Sequence, residues 1–248
     1  MRLVIGVVAL AVTLPMAAIV RRHDRGDLHY QELARSYPAV VDLNLPGGAG
    51  TLIARDWVLT AAHAARLMKP DRPVKLAGIE YPVLRIVIYP GGGEGKDDLA
   101  LVQLARSAEN ISPVSLYESR DEGDGDRIVT FSGRGQTGDG QTGPILWDGQ
   151  LRAATNRIDS VKQKWLVFCF DAPPGGTDLE GISGPGDSGG PAFMTVNGQT
   201  FLAGVSSGQD SRATGKEGVY GVTEYYVRVS SYSEWIKGII GVDHPKPQ

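Results

Sequence analysis

The chain has 248 residues, 42% of them hydrophobic and 21% charged, with a formal net charge of −3. That balance excludes a disordered chain and a polytopic membrane protein, and it leaves no cationic surplus for gripping nucleic-acid phosphates. A content of 33 Gly and 15 Pro favours many short strands joined by tight turns, and a single cysteine, Cys169, rules out an internal disulfide.

The first segment reads as a secretory signal peptide over residues 1–18. Arg2 opens it, Leu3 to Leu14 forms its apolar run, and Pro15 precedes Met16-Ala17-Ala18, with cleavage expected after Ala18. The apolar stretch continues through Val20 before Arg21-Arg22, so the alternative is an uncleaved membrane anchor over residues 3–20. The run Arg21-Arg22-His23-Asp24-Arg25 reads as a solvated leader rather than a lipid-binding patch.

Val41, Leu43 and Leu45 then alternate with Asp42 and Asn44, the period of a strand with one buried face. Further strands are expected at 51–54, 57–60, 82–89, 99–104, 127–132, 165–170, 201–206 and 225–229, most of them bounded by Gly, Pro, Asp or Asn. No run of ten or more residues in the middle carries a helical period, which argues against βαβ crossovers and for antiparallel sheets. Asp121 to Asp126 is acidic and glycine-containing, a linker between two halves. The one clear helix comes last: Ser231 and Glu234 have capping-box spacing, Trp235, Ile236, Ile239 and Ile240 form an apolar stripe, and Gly241 is placed to stop it. Asp243 to Gln248 reads as a frayed tail.

Three segments carry chemistry. Leu59-Thr60-Ala61-Ala62-His63-Ala64 places an imidazole after a strand, and Asp97-Asp98-Leu99-Ala100-Leu101 places carboxylates at the start of another. Each alone has a bland structural explanation. Gly184-Pro185-Gly186-Asp187-Ser188-Gly189-Gly190-Pro191 is more specific, because glycines on both sides of Ser188 permit tight turns and leave its hydroxyl and the nearby N–H groups accessible. The segment also satisfies G-x-S-x-G, the nucleophile elbow of α/β-hydrolase esterases. That fold wants Ser, acid and His in that order, and His244 is the only histidine after Ser188. His23, His29 and His244 lack ligand spacing, so no metal site is expected.

Taken together, Gly50–Ala64 (GTLIARDWVLTAAHA), Asp98–Leu101 (DLAL), Ser132–Thr137 (SGRGQT), Gly184–Pro191 (GPGDSGGP), Gly204–Gly208 (GVSSG) and Tyr226–Ile236 (YVRVSSYSEWI) resemble the trypsin-like (chymotrypsin-fold) serine peptidase family. The resemblance implies an all-β fold of two antiparallel β-barrels with a C-terminal helix. Residues 19–120 would form the first barrel, 121–230 the second, and 231–248 the helix and tail. It implies an exported, cofactor-free, monomeric endopeptidase acting on polypeptides. His63 would be the general base, Asp98 its orienting carboxylate in preference to Asp97, and Ser188 the nucleophile. The N–H groups of Gly186 and Ser188 would form the oxyanion hole. Asp187 would pair with a new N-terminus at Ile19, although Arg21-Arg22 replace the two glycines of the family.

Other implications concern the pocket and the staples. Ser206, Ser207 and Gly208 would supply the edge that pairs with substrate backbone. Ile182, six residues before the nucleophile, would lie at the base of the primary pocket, where its lack of charge does not support the usual Arg/Lys selection. Glu224 aligns with a pocket-wall position and would attract a basic side chain if it points inward; otherwise it is a surface glutamate in an inserted loop. Gly48, Ala64 and Gly184 stand where relatives often carry cysteines, and Cys169 would be an inert buried thiol. The non-enzymatic alternative is a peptidase-like domain that binds a partner without catalysis.

Overall fold

A computed structural model describes residues 19–45, 47–69, 72–123 and 126–243. The signal-peptide expectation and the tail from 244 onward lie outside these residues. The chain begins with a two-residue strand, β1 (Val20–Arg21), and a short helix, α1 (Asp27–Ala34). Seven strands follow: β2 (Val40–Asp42), β3 (Ala49–Ala54), β4 (Trp57–Thr60), β5 (Val74–Leu76), β6 (Ile79–Tyr81), β7 (Val83–Ile88) and β8 (Ala100–Leu104). They form one antiparallel sheet in the order β6-β5-β2-β3-β4-β8-β7. A four-residue helix, α2 (Ala62–Ala65), interrupts the sequence after β4.

The second half comprises β9 (Ser115–Leu116), β10 (Ile128–Gly133), β11 (Thr137–Asp139), β12 (Gly143–Leu146), β13 (Arg152–Arg157), β14 (Ser160–Lys162), β15 (Trp165–Cys169), β16 (Gly181–Ile182), β17 (Pro191–Val196), β18 (Gln199–Asp210) and β19 (Thr223–Arg228). Their main sheet runs β13-β10-β17-β18-β19-β15-β14, with β9 beside β18. A smaller sheet, β12-β11-β1-β16, recruits the start of the chain. The fold is therefore the all-β pair of curled antiparallel sheets that the sequence predicts. The esterase alternative fails here, because an α/β-hydrolase needs a parallel sheet covered by helices.

The apolar faces are buried in a cluster that spans both halves, where Phe193, Leu202, Val205 and Val227 of the second join the first sheet's core, and in a further cluster within the second half. Trp57, Leu52, Leu59, Leu101 and Val102 are fully buried in the first sheet; in the second, Phe131 stacks on Tyr226 and Phe168 meets both edge-on, with ring centroids 4.6–5.4 Å apart. Side chains alternate across each strand, so one apolar set per strand closes a core. The termini cross over. At the N-terminus, β1 hydrogen-bonds to β11 and β16 of the second half, and α1 lies on β13 there, where Asp27 makes a fork of two 2.6 Å bonds with the buried Arg152. At the C-terminus, helix α3 (Ser233–Asp243) seats Ile236 in the core of the first half, and Trp235 meets Tyr89 edge-on at 5.1 Å.

Several expectations need correction. Residues 19–34 precede the first barrel in sequence but pack on the second. The basic run is no solvated leader: Arg22 is 5% exposed, chelates the Asp24 carboxylate and donates to Thr177 O at 2.7 Å, and Arg25 pairs with Asp178. Its charges find fixed partners on a neighbouring loop, which outcompetes hydration. Within the expected linker, Glu122 is fully buried and accepts from Arg228 and Ser230. Helix α3 begins two residues after Ser231, behind a 3-10 turn at Val229–Ser231, and continues through Gly241 to Asp243. Gly241 is not a stop because it keeps a negative φ rather than the left-handed backbone of a C-terminal cap.

Candidate active site

The histidine and the carboxylate are brought together by strand pairing. In the β4–β8 ladder Thr60 stands opposite Ala100, so the residues just past the end of β4 and just before β8 leave the sheet side by side. His63 occupies α2 and Asp98 precedes Leu99. Asp98 is fully buried, and one carboxylate serves three donors: the His63 N–H reaches Oδ1 at 2.9 Å, His63 Nδ1 lies 2.7 Å from Oδ2, and the Ser207 hydroxyl donates to Oδ2 at 2.6 Å. Burial alone would raise the Asp98 pKa, but the bonds from His63 and Ser207 outweigh it and hold the carboxyl below its ordinary value. Burial likewise opposes a charged His63, yet the bond to Asp98, its charge and that of Glu94 hold the imidazole above its ordinary value. Asp97 is committed elsewhere, to Lys164 and to the Tyr232 hydroxyl at 2.6 Å.

Ser188 sits on the loop between β16 and β17, and that loop is tied from both halves. Ala49 of β3 donates to Ser188 O at 2.8 Å, Gly189 donates to Ser206 O at 2.9 Å, and Gly190 donates to Asp187 O at 2.8 Å. Gly189 has φ +81°, and a Cβ there would lie 2.1 Å from Thr60 Oγ1 and 2.5 Å from Ala49 O, so only glycine fits. Gly186 has φ +102°, in the left-handed region. Among the described residues neither the Gly186 nor the Ser188 N–H donates to a protein acceptor, and Ser188 Oγ makes no hydrogen bond. His63 and Ser188 face the same cavity of about 310 Å³.

Behind that loop, Asp187 is 1% exposed and takes three backbone donors: Gly135 N at 2.7 Å on Oδ1, and Gly184 N at 2.9 Å and Ile19 N at 3.0 Å on Oδ2. Burial pushes its pKa up to about 6 against these bonds. Ile19 is buried, and Thr137 Oγ1 donates to its carbonyl at 2.6 Å. The Arg21-Arg22 departure thus leaves Ile19 within reach of Asp187.

The predicted pocket residues separate. Ile182 is fully buried with Val20, Phe170 and Val222 and does not line the cavity, because these apolar neighbours draw its side chain into the core beneath. Glu224 is no surface glutamate: it is 1% exposed, lines the cavity, and accepts the Ser183 N–H on Oε2 at 3.1 Å. Ser206 lines the cavity too, with its own backbone spent on Gly189 and Gly190, and Ser207 and Gly208 line it beside Ser206, with Gly208 in register with Tyr225 of β19. Cys169 is half-buried, and burial with the nearby Asp171 and Asp159 pushes its thiol up to about 11, so it stays protonated. The sequence reading missed the Ser207 tie to Asp98 and the lining roles of Gln209, Glu217 and Glu94. Their only signal is proximity in the fold. Among the described residues no His, Cys, Asp and Glu cluster has metal-ligand geometry, and no helix is long and apolar enough to cross a membrane.

Against known proteins, the Trypsin family model matches residues 29–236. Chymotrypsin-like elastase family member 1 of Rattus norvegicus is 30% identical over 233 residues, 83% of this chain and 85% of that protein. The Macaca fascicularis form is 32% identical over 235 residues, with 83% and 85% covered. Among solved structures, mouse-brain neuropsin, a serine protease, superposes with a TM-score of 0.63 at 22% identity, covering 84% of this chain and 96% of that one.

Proposed function

We infer, from the premise that the chain belongs to the trypsin family, that it is a serine endopeptidase working through His63, Asp98 and Ser188. The observation that carries the reading is the fully buried Asp98 carboxylate gripping the His63 ring on the wall of the cavity that Ser188 enters. A serine hydroxyl is a poor nucleophile at neutral pH. His63 Nε2 takes its proton as Ser188 Oγ attacks the peptide carbonyl, and the developing oxyanion accepts the unengaged N–H groups of Gly186 and Ser188, where one donor is worth roughly 3 kcal/mol. Asp98 keeps the Nδ1–H tautomer and stabilises the imidazolium. Collapse expels the amine with the proton held by His63, and water repeats the sequence on the acyl-enzyme.

Maturation follows from the same geometry. Cleavage after Ala18 converts the Ile19 amide, 3.0 Å from Asp187 Oδ2, into an ammonium facing a buried carboxylate. It also relieves Ile19 of φ +56°, an unfavourable torsion for a β-branched residue bearing a preceding carbonyl. Export and activation would then share one cut, delivering a cofactor-free, monomeric enzyme outside the membrane. Sequencing the N-terminus of the active protein tests this, with Ile19 expected. Full activity from another start would contradict it. For the peptidase reading, the purified protein should hydrolyse fluorogenic peptides and Ser188→Ala should lose at least about 10³-fold. A folded wild type without hydrolysis would overturn it.

A further inference from the structure

The start of the described chain is held in the second half by a strand of two residues. In β1, Val20 pairs with Gly138 and Ile182, and Arg21 with Asp139 and Gly181. Two residues fall below the usual length of a strand, yet this ladder keeps the Ile19 nitrogen 3.0 Å from the buried Asp187 carboxylate. The next residue carries the larger grip. Arg22 is 5% exposed and all three of its guanidinium nitrogens are engaged: Nε and Nη2 fork onto the Asp24 carboxylate at 2.6 and 2.8 Å, and Nη1 donates to Thr177 O at 2.7 Å. Its backbone N–H reaches Glu180 O at 3.1 Å and the Tyr30 hydroxyl at 3.3 Å, and that hydroxyl, on a fully buried ring, donates to Glu180 O at 3.1 Å. The loop from Thr177 to Glu180 that receives these bonds runs directly into β16 and then into Ser183-Gly184, where the Gly184 N–H lies on Asp187. One side chain therefore couples β1 to the segment that leads into the nucleophile loop.

We propose that Arg22 is a positioning residue for the reaction, a latch that keeps the Ile19 nitrogen on Asp187 and so holds the Gly186–Ser188 loop in its working shape. This deepens the peptidase reading and rests on cleavage after Ala18 for the charge on that nitrogen. Arginine suits the task because its planar fork takes a carboxylate through two nitrogens and leaves the third for a carbonyl, which a lysine ammonium does not reproduce. Arg25 adds only an outer tie, to Asp178. The latch has a pH signature. An ammonium pairs with Asp187 and a neutral amine does not, so insertion raises the amine above its ordinary value of about 8 and is lost as pH rises through the raised value. Whatever weakens insertion lowers that upper midpoint. Besides backbone N–H groups, Asp187 is faced by Glu224 and Tyr226 of β19, and Arg22 by Asp24, Tyr30 and Tyr220. Glu224, pushed up to about 8 by burial, titrates in wild type and variant alike and cancels in the comparison.

Two experiments separate the latch from the reading beneath it. In kcat/KM profiles for an uncharged substrate, Arg22→Ala should lower the alkaline midpoint by about one pH unit, which is about tenfold weaker insertion and the scale of one charged hydrogen bond. Arg22→Lys should recover at most part of the shift, and Arg25→Ala should leave the midpoint in place. An arginine that only stabilises the fold would change the melting temperature without moving the midpoint, so an alkaline limb that Arg22→Ala leaves unmoved would overturn the inference. Amide hydrogen exchange on the Ser188→Ala protein reads the latch without turnover and from any N-terminus. Adding Arg22→Ala should speed exchange about tenfold or more in residues 19–22 and 181–190, while β4 and β8 keep their protection. That result supports the latch even if the active protein starts elsewhere than Ile19 and shows no alkaline limb. Equal exchange in the two proteins overturns it even if peptides are cut.

Discussion

The two halves of the molecule hold their functional groups by different means. In the first sheet the work is apolar: Trp57, Leu52, Leu59 and Leu101 exclude water, and the pairing of β4 with β8 then sets His63 beside Asp98 as a by-product of register. In the second, polar groups are buried and tied one by one. Arg152, 2% exposed, bridges Asp27 and Asp148; Asn156 donates to Cys169 O and Gly181 O, both at 3.0 Å; and Asp187 gathers three backbone N–H groups behind Ser188. That half also borrows β1 and α1 from the start of the chain. The difference teaches that the orienting pair is as robust as a core, whereas the nucleophile loop depends on individual contacts that one substitution removes.

The largest expected effect breaks the orienting pair without touching either core. Asp98→Asn should lower kcat by about 10⁴-fold by favouring the wrong His63 tautomer, with the melting temperature nearly held. The adjacent Asp97→Asn, which loses only Lys164 and Tyr232, should stay within a few-fold of wild type. Steady-state kinetics on the two proteins checks both.

Core truncation addresses the first half directly. Trp57→Ala should cost about 3–5 kcal/mol in urea denaturation, a loss spread over the whole sheet. In the second half Asp187→Asn should leave the fold largely intact but cut kcat about 10²- to 10³-fold, because the loop that aims the Gly186 and Ser188 N–H groups loses its anchor. Arg152→Met strands two carboxylates that remain a quarter to a third exposed, so it should cost about 2 kcal/mol, less than a fully buried pair. A larger loss from Arg152→Met than from Trp57→Ala would erase the distinction between the halves.

The smallest effect is the acid limb of activity. His63 must be neutral to accept the Ser188 proton, so kcat/KM for an uncharged substrate falls as pH drops through the His63 pKa. The Asp98 bond raises that pKa, so the midpoint should lie above the ordinary value of about 6.5. Asp98→Asn should move it down.

This contrast also explains what the sequence makes legible. In the first half, β4 and β8 appear as apolar runs and β2 as an alternation, because burial there uses large apolar side chains. The second half hides β13, whose Arg152-Ala153-Ala154 buries an ion-paired arginine and two small residues, and β17, which opens on Pro191. Helix α1 buries only Tyr30 and Ala34, too thin a stripe to register as a period. The residue types around Ser188, His63 and Asp98 stand out as motifs. The turn of Glu224 into the cavity, the withdrawal of Ile182 and the Ser207 bond to Asp98 depend on strand register and on partners far away in the chain, which local pattern does not encode.

The central claim is that Ser188 is made nucleophilic by the His63–Asp98 pair. Mass-spectrometric mapping of a fluorophosphonate adduct tests it most directly. The account predicts a single adduct on Ser188 in the wild type, slowed by at least about 10³-fold in His63→Ala. A folded protein that takes no label, or takes it on another serine such as Ser207, would contradict it.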